Sequence, residues 1–195
     1  ELLSLASLKV IPSVGIDQSG AFLEQGRVLA KAAGLEPRLI EADIYDLPDD
    51  VGTFDLVLVT IGVLNWMPDL GGFFRVIAGL LGPGGHLLVY ETHPVMEMFD
   101  PESDTPHEPA ISYFRTDPLK EEGLISYDGV DHGSGETGYW FIHTLGQIVT
   151  SCATAGMTIT SLKEFGYSIR EPEYDVYEGR EAQIPMSYLL HARKM

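Results

Sequence analysis

Cysteine is almost missing from this chain of 195 residues. The one thiol, Cys152, rules out an intrachain disulfide and fits a reducing compartment, the cytoplasm. Set in "TSCATAGM", which reads as helix interior, it is expected to fill core rather than to act as a nucleophile. Long apolar runs are missing too. None nears the ~20 residues that a membrane-spanning helix needs, and the opening "ELLSLASLK" lacks the basic start and small-residue cleavage site of a secretory signal. No internal repeat or low-complexity tract interrupts the chain.

Positive charge is the third scarcity. Lys and Arg number 12 against 29 Asp and Glu, giving a net charge of −17. Nucleic-acid binding needs cations that displace counterions from phosphates, so neither a nucleic acid nor an anionic membrane is an expected partner. A neutral or cationic small-molecule substrate suits such a surface, which also serves solubility. An initiator Met is lacking as well. Residues 1–8 read as the tail of a helix already under way, and further residues are expected to precede Glu1.

What is present is an alternation of strand and helix. Residues 11–16 read as a short strand and 19–35 as an amphipathic helix closed by Gly34. "PRLIEADI" follows as a strand over 38–41. "FDLVLVTIGV" has the near-continuous apolar character of a parallel strand buried on both faces. "PDLGGFFRVIAGLL" is a helix that "GPGG" is expected to stop, and "HLLVYETHP" is the next strand. Short βαβ spacing of this kind predicts an α/β fold: a Rossmann-like, doubly wound, mostly parallel sheet. A helix over 144–156 and two closing strands, "TITSLKEFG" and "MSYLLHARK", complete a single domain spanning 1–195. Residues 96–143, rich in Pro, Gly and acids, are too long for a connector and are expected to form an insertion or lid.

The chemistry gathers at strand ends. In a parallel sheet all carboxyl ends face one way, so Asp17, Asp43 and the Thr60-Ile61-Gly62 tip line one crevice. Asp17, followed by Gln18, can accept both hydroxyls of a ribose. Asp43 can accept from an exocyclic amine, with the backbone at Ile44 beside a ring edge. Asp17 can equally serve the start of the following helix, where Ser19 also suits an N-cap. No Gly-rich phosphate loop precedes the first acid, so an adenosine without phosphates fits better than a dinucleotide.

"VGIDQS", "EADIYDLPDDVGTFDLVLVTIGVLNWMPDL" and "LLGPGGHLLVYETHPV" together resemble class I S-adenosylmethionine-dependent methyltransferases of the bacterial small-molecule type. The resemblance covers roughly residues 1–95, and the last two strands are similar to the family's closing hairpin. It implies a seven-stranded sheet with an antiparallel C-terminal strand, and S-adenosylmethionine as cofactor. It further implies Asp17 on the ribose, Asp43 on the adenine amine, and residues 60–66 beside the cofactor. The family's Gly-rich loop after its first strand is not among these residues, and it is expected upstream together with that strand. Two other readings stay open: a non-catalytic adenosine-binding or interaction module of the same fold, and a nicotinamide-dependent reductase. Against the reductase, no Tyr is followed by Lys four positions on.

Methyl transfer is an in-line displacement in which the protein mainly positions an acceptor and excludes water. His93, just beyond a strand end, is the candidate general base, and His143 before the next helix is a second. Either can instead be structural. Asn65, Trp66, Tyr113 and Trp140 are candidate walls of a substrate pocket, where aromatics also suit a cationic acceptor. Asp131, His132 and Glu136 have no standard metal spacing, and no metal is expected.

Overall fold

The computed structural model describes residues 1–122, 137–169 and 172–195. A 3-10 helix, Leu3–Leu8, opens the chain where the tail of an α-helix was expected, and it ends at Lys9 in the left-handed region. Strand β1 (Val14–Asp17) begins three residues later than the apolar run suggests, after an exposed Ile11 and a proline that lacks an amide donor. Helix α1 (Gly20–Ala33) has Ser19 as its N-cap, whose Oγ accepts from the Phe22 amide at 3.3 Å, and Gly34 closes it at φ +69. Strand β2 (Arg38–Glu41) pairs in parallel with β1, Ile16 facing Ile40.

Strand β3 (Phe54–Val59) pairs in parallel with β4 (Leu81–Thr92). Between them lies helix α2 (Leu70–Leu80), capped by Asp69 through the Gly72 amide at 2.9 Å. The "GPGG" segment differs from expectation. It lies inside β4 rather than after the helix, because Leu81 is already extended and the chain passes straight from helix to strand. The glycines instead shape an irregularity opposite residues 54–56. A Cβ on Gly85 would lie 2.9 Å from the Gly82 carbonyl and 3.0 Å from that of Phe54.

The short hairpin β5 (Leu119–Glu122) and β6 (Thr137–Trp140) belongs to the 96–143 segment. Helix α3 (Leu145–Thr154) then returns the chain to the sheet, followed by β7 (Met157–Phe165) and β8 (Ser187–Lys194). Both closing strands are antiparallel to their neighbours, in the order β3-β4-β8-β7.

The molecule is therefore a Rossmann-like α/β fold. Among the described residues its main strands number six and lie in two hydrogen-bonded pieces, β1-β2 and β3-β4-β8-β7. Both pieces rest on one core. Phe73, Phe74 and Ile77 of α2 meet Leu87, Val89 and Leu190, with Val14 and Ile16 packed at its edge. Cys152 is fully buried in the same core, and burial pushes its thiol up to about 11, out of nucleophile range. A second, small core of Met96, Tyr177 and Met186 ties residues 96–99 to the β7–β8 connection. No helix among the described residues is long and apolar enough to cross a membrane.

Candidate active site

A cleft of about 1590 Å³ opens between the two sheet pieces, walled by β1 on one side and β3 on the other. Asp17, Gln18, Asp43, Ile44, Thr60 and Trp66 all line it. β1 and β2 are parallel neighbours on one side of this cleft and β3 belongs to the piece on the other, so residues far apart in sequence line it from both sides. Each acid is half committed to its own turn. Asp17 Oδ1 accepts the Ser19 amide at 2.7 Å, and Asp43 Oδ1 accepts the Tyr45 amide at 2.9 Å. In each case the second oxygen is left for an incoming donor. Asp17 thus shapes the start of α1 and faces the cleft at once, while Ser19 is the cap.

The segment after β3 forms the inner wall. It turns at Gly62, whose φ of +81 suits glycine, and continues as a 3-10 turn, Leu64–Trp66. Its amides are held from beneath by Glu91, a side chain only 1% exposed on β4. The Gly62 N–H donates to Glu91 Oε2 at 2.7 Å and the Leu64 N–H to Oε1 at 3.0 Å. Burial pushes this carboxyl up to about 7, against the opposing pull of those amides. Glu91 is absent from the site expected from sequence. The signal was there: in "HLLVYETH" the period of two places Glu91 on the same face as Leu87 and Val89, an acid at a core position.

Asn65, Tyr113 and Trp140 stand behind this wall rather than on it. The Asn65 amide donates to Glu97 Oε1 at 3.2 Å and to the Phe141 carbonyl at 3.0 Å, while the Phe141 N–H donates back to the Asn65 carbonyl at 2.7 Å. The Trp140 indole donates to Glu97 Oε2 at 2.9 Å, and its ring meets Trp66 edge-on with centroids 5.4 Å apart. Tyr113 accepts the Leu145 amide at 3.0 Å, at the start of α3. These contacts clamp residues 96–98 and 137–145 onto the cleft wall, and Glu97 is a second member of the cluster that sequence reading missed.

The two candidate bases lie elsewhere than expected. His93 is buried, 3% exposed, and does not line the cleft. Its Nδ1 accepts the Val95 amide at 3.1 Å, and Nε2 lies 3.0 Å from Glu164 on β7, without hydrogen-bond alignment. The ring is used up in joining β4 to β7, because a strand-end position that also follows the core-facing period points inward. His143 has Nε2 2.8 Å from the Met67 carbonyl and so ties α3 to the cleft wall. Burial lowers the pKa of both rings, with Glu164 opposing it at His93 and backbone carbonyls at His143, so both are neutral near pH 7. Asp131, His132 and Glu136 lie outside the described residues.

Comparison with known proteins agrees with this geometry. Residues 2–89 match the family described as "Methyltransferase domain". Over 84 residues the chain is 40% identical to a demethylmenaquinone methyltransferase of Thermus thermophilus, a stretch covering 42% of this chain and 36% of that enzyme. The chain therefore spans about a third of that relative's length. An S-adenosylmethionine-dependent methyltransferase from Mesorhizobium loti superposes with a TM-score of 0.60 at 21% identity, covering 93% of this chain and 79% of that one. One from Clostridium acetobutylicum gives 0.60 at 15% identity, covering 93% and 74%. The chain shares the fold of these solved methyltransferases.

The cleft suits a nucleoside without phosphates on its own chemistry. Two carboxylates with one oxygen each to spare favour hydroxyl and amine donors and disfavour phosphates, as an adenosine requires. Ile16, Ile44, Val63 and Trp66 supply apolar walls for a purine.

Proposed function

We propose that this protein transfers a methyl group from S-adenosylmethionine to a neutral or cationic small molecule. One arrangement carries the reading: Asp17 ends β1 and Asp43 follows its parallel neighbour β2, both on a cleft whose walls are apolar and which Thr60 also lines. Bound there, the cofactor supplies a methyl group activated by a sulfonium. The protein's own part is placement. Asp17 and Asp43 fix the nucleoside by hydrogen bonds, Trp66 and Val63 exclude water from its face, and the clamp through Asn65 and Glu97 holds that wall still. The acidic surface favours a positively charged cofactor and acceptor.

His93 serves to join strands in this reading, and acceptor activation is not assigned to it. His143 fixes the cleft wall through Met67. In this reading the described residues 96–122 and 137–143 lie on the substrate side of a single domain, with Trp140 and Tyr113 setting their approach to the cleft. A lone, buried thiol supports a reducing, cytoplasmic setting.

Calorimetric titration with S-adenosylhomocysteine tests the reading. Asp17→Ala is expected to weaken binding at least about tenfold, since a hydrogen-bonded charged partner is lost, while leaving the fold intact by circular dichroism. Wild-type protein that binds neither this ligand nor S-adenosylmethionine would sink the proposal and leave a non-catalytic module of the same fold.

A further inference from the structure

Glu91 occupies a position where the fold alone would place an aliphatic residue. It follows Leu87 and Val89 on the core-facing side of β4, and across β8 its neighbour is the fully buried Tyr188. Nevertheless its two oxygens are both used, one on Gly62 and one on Leu64, and both amides belong to the segment that walls the cleft. We propose that Glu91 is a positioning residue whose carboxylate, by accepting both amides at once, holds residues 60–66 in the form that presents Thr60 and Trp66 to the ligand. The identity of that ligand rests on the methyltransferase reading; the role of Glu91 in shaping the wall does not.

An ionised carboxylate offers two acceptor oxygens and can satisfy two convergent N–H groups. A neutral carboxylic acid keeps one good acceptor, and its O–H becomes a donor that faces an amide donor. Protonation therefore releases one of the two amides, and with Gly62 at a positive φ the turn has glycine's freedom to open. Burial raises the pKa of this carboxyl to about 7, with the Leu64, Gly62, Thr92 and Val63 amides opposing, so both forms are populated near neutral pH.

Of the groups around it, those with a shifted pKa move away from that range. The 60–66 segment contributes none. From β8, Tyr188 is held well above its ordinary value by burial and by Glu91, and stays neutral. His143, which borders the same small cavity, and His93, just past the end of β4, are both lowered chiefly by burial. Glu97 is engaged by Asn65 and Trp140.

The chain's two tryptophans, Trp66 and Trp140, meet at this wall and provide a reporter that needs no ligand. Tryptophan emission of the whole protein, followed from pH 5.5 to 8.5, is expected to show a transition centred near pH 7. It should vanish in Glu91→Gln and persist in His143→Gln. Wild-type emission that is flat across this range overturns the proposal, as does a transition lost in His143→Gln and kept in Glu91→Gln. S-adenosylhomocysteine affinity of the wild type should fall about fivefold from pH 8 to pH 6, the loss of one hydrogen bond, and be flat in Glu91→Gln. Equal pH dependence in both proteins argues against the positioning role. A fluorescence transition without any ligand binding leaves that role standing and removes only the methyltransferase reading.

Discussion

Asp17 and Glu91 use the two oxygens of a carboxylate in different ways. Asp17 spends one on its own turn and offers the other to the cleft; Glu91 spends both on a neighbouring segment and offers none. The second arrangement has a thermodynamic signature. The folded pKa of Glu91, about 7, lies above its ordinary value of 4.5, so its contribution to stability is fully present below 4.5 and is lost as pH rises through 7. Between pH 6 and 8 the unfolded chain, already ionised at this residue, gains ~1 kcal/mol over the folded one. Urea unfolding should therefore show wild-type stability falling by about that amount relative to Glu91→Gln over the same interval. A constant difference would mean that the carboxyl titrates at its ordinary value. Sequence made Asp17 and Asp43 legible because a strand followed by an acid and turn residues is a local pattern. Glu91 was readable only as a break in the period-two alternation, and its partners, 27 and 29 residues away, are set by strand pairing. His93 misled for a related reason: proximity to a strand end does not say which face the ring takes.

At the level of elements, the two ends of α1 were legible, because capping chemistry is confined to three or four residues. Ser19, Asp69 and Thr144 each accept the amide that their position predicts. The case of α3 is the fullest. Thr144 Oγ1 accepts the Gln147 amide at 3.1 Å while Gln147 Oε1 accepts the Thr144 amide at 2.8 Å, a reciprocal capping box. Beyond it Ile148 and Cys152 bury the face that packs α3 on the core. Thr144→Ala removes one partner and should cost about 1 kcal/mol, or roughly 2–4 °C in thermal midpoint for a domain of this size. Circular dichroism melting measures it, and an unchanged midpoint would show that solvent satisfies the Gln147 amide equally well. What local pattern could not give is how the elements join. "GPGG" has the composition of a helix stop, yet the helix ends without it, and the glycines serve a bulge against Phe54 that only the β3–β4 pairing creates. In the same way, the clamp of Asn65, Glu97 and Trp140 unites segments more than 30 residues apart.

Across the whole molecule the dominant quantity is charge. The described cation–carboxylate pairs of Lys and Arg, Arg27–Glu24, Arg38–Asp50 and Arg75–Asp69, are exposed and contribute little. They leave the net charge of −17 to act as a field that repels itself in the compact state and attracts a cationic ligand from solution. Screening separates these two consequences from the local contacts. Raising ionic strength from 0.01 to 0.15 M shortens the Debye length from about 30 Å to about 8 Å. That shortens the reach of repulsion between distant acids, while a carboxylate 2.7 Å from a buried amide is left almost untouched. The thermal midpoint should therefore rise over this interval, by roughly 2–4 °C if about 1 kcal/mol of repulsion is relieved. Sodium and potassium chloride should act alike, since the effect is one of screening and not of a bound ion. A midpoint that falls with salt would mean that the exposed ion pairs outweigh the net field, and a difference between the two cations would point to a specific site. The first outcome would also weaken the charge-based argument for a cationic partner, because both rest on the same unscreened excess of acids.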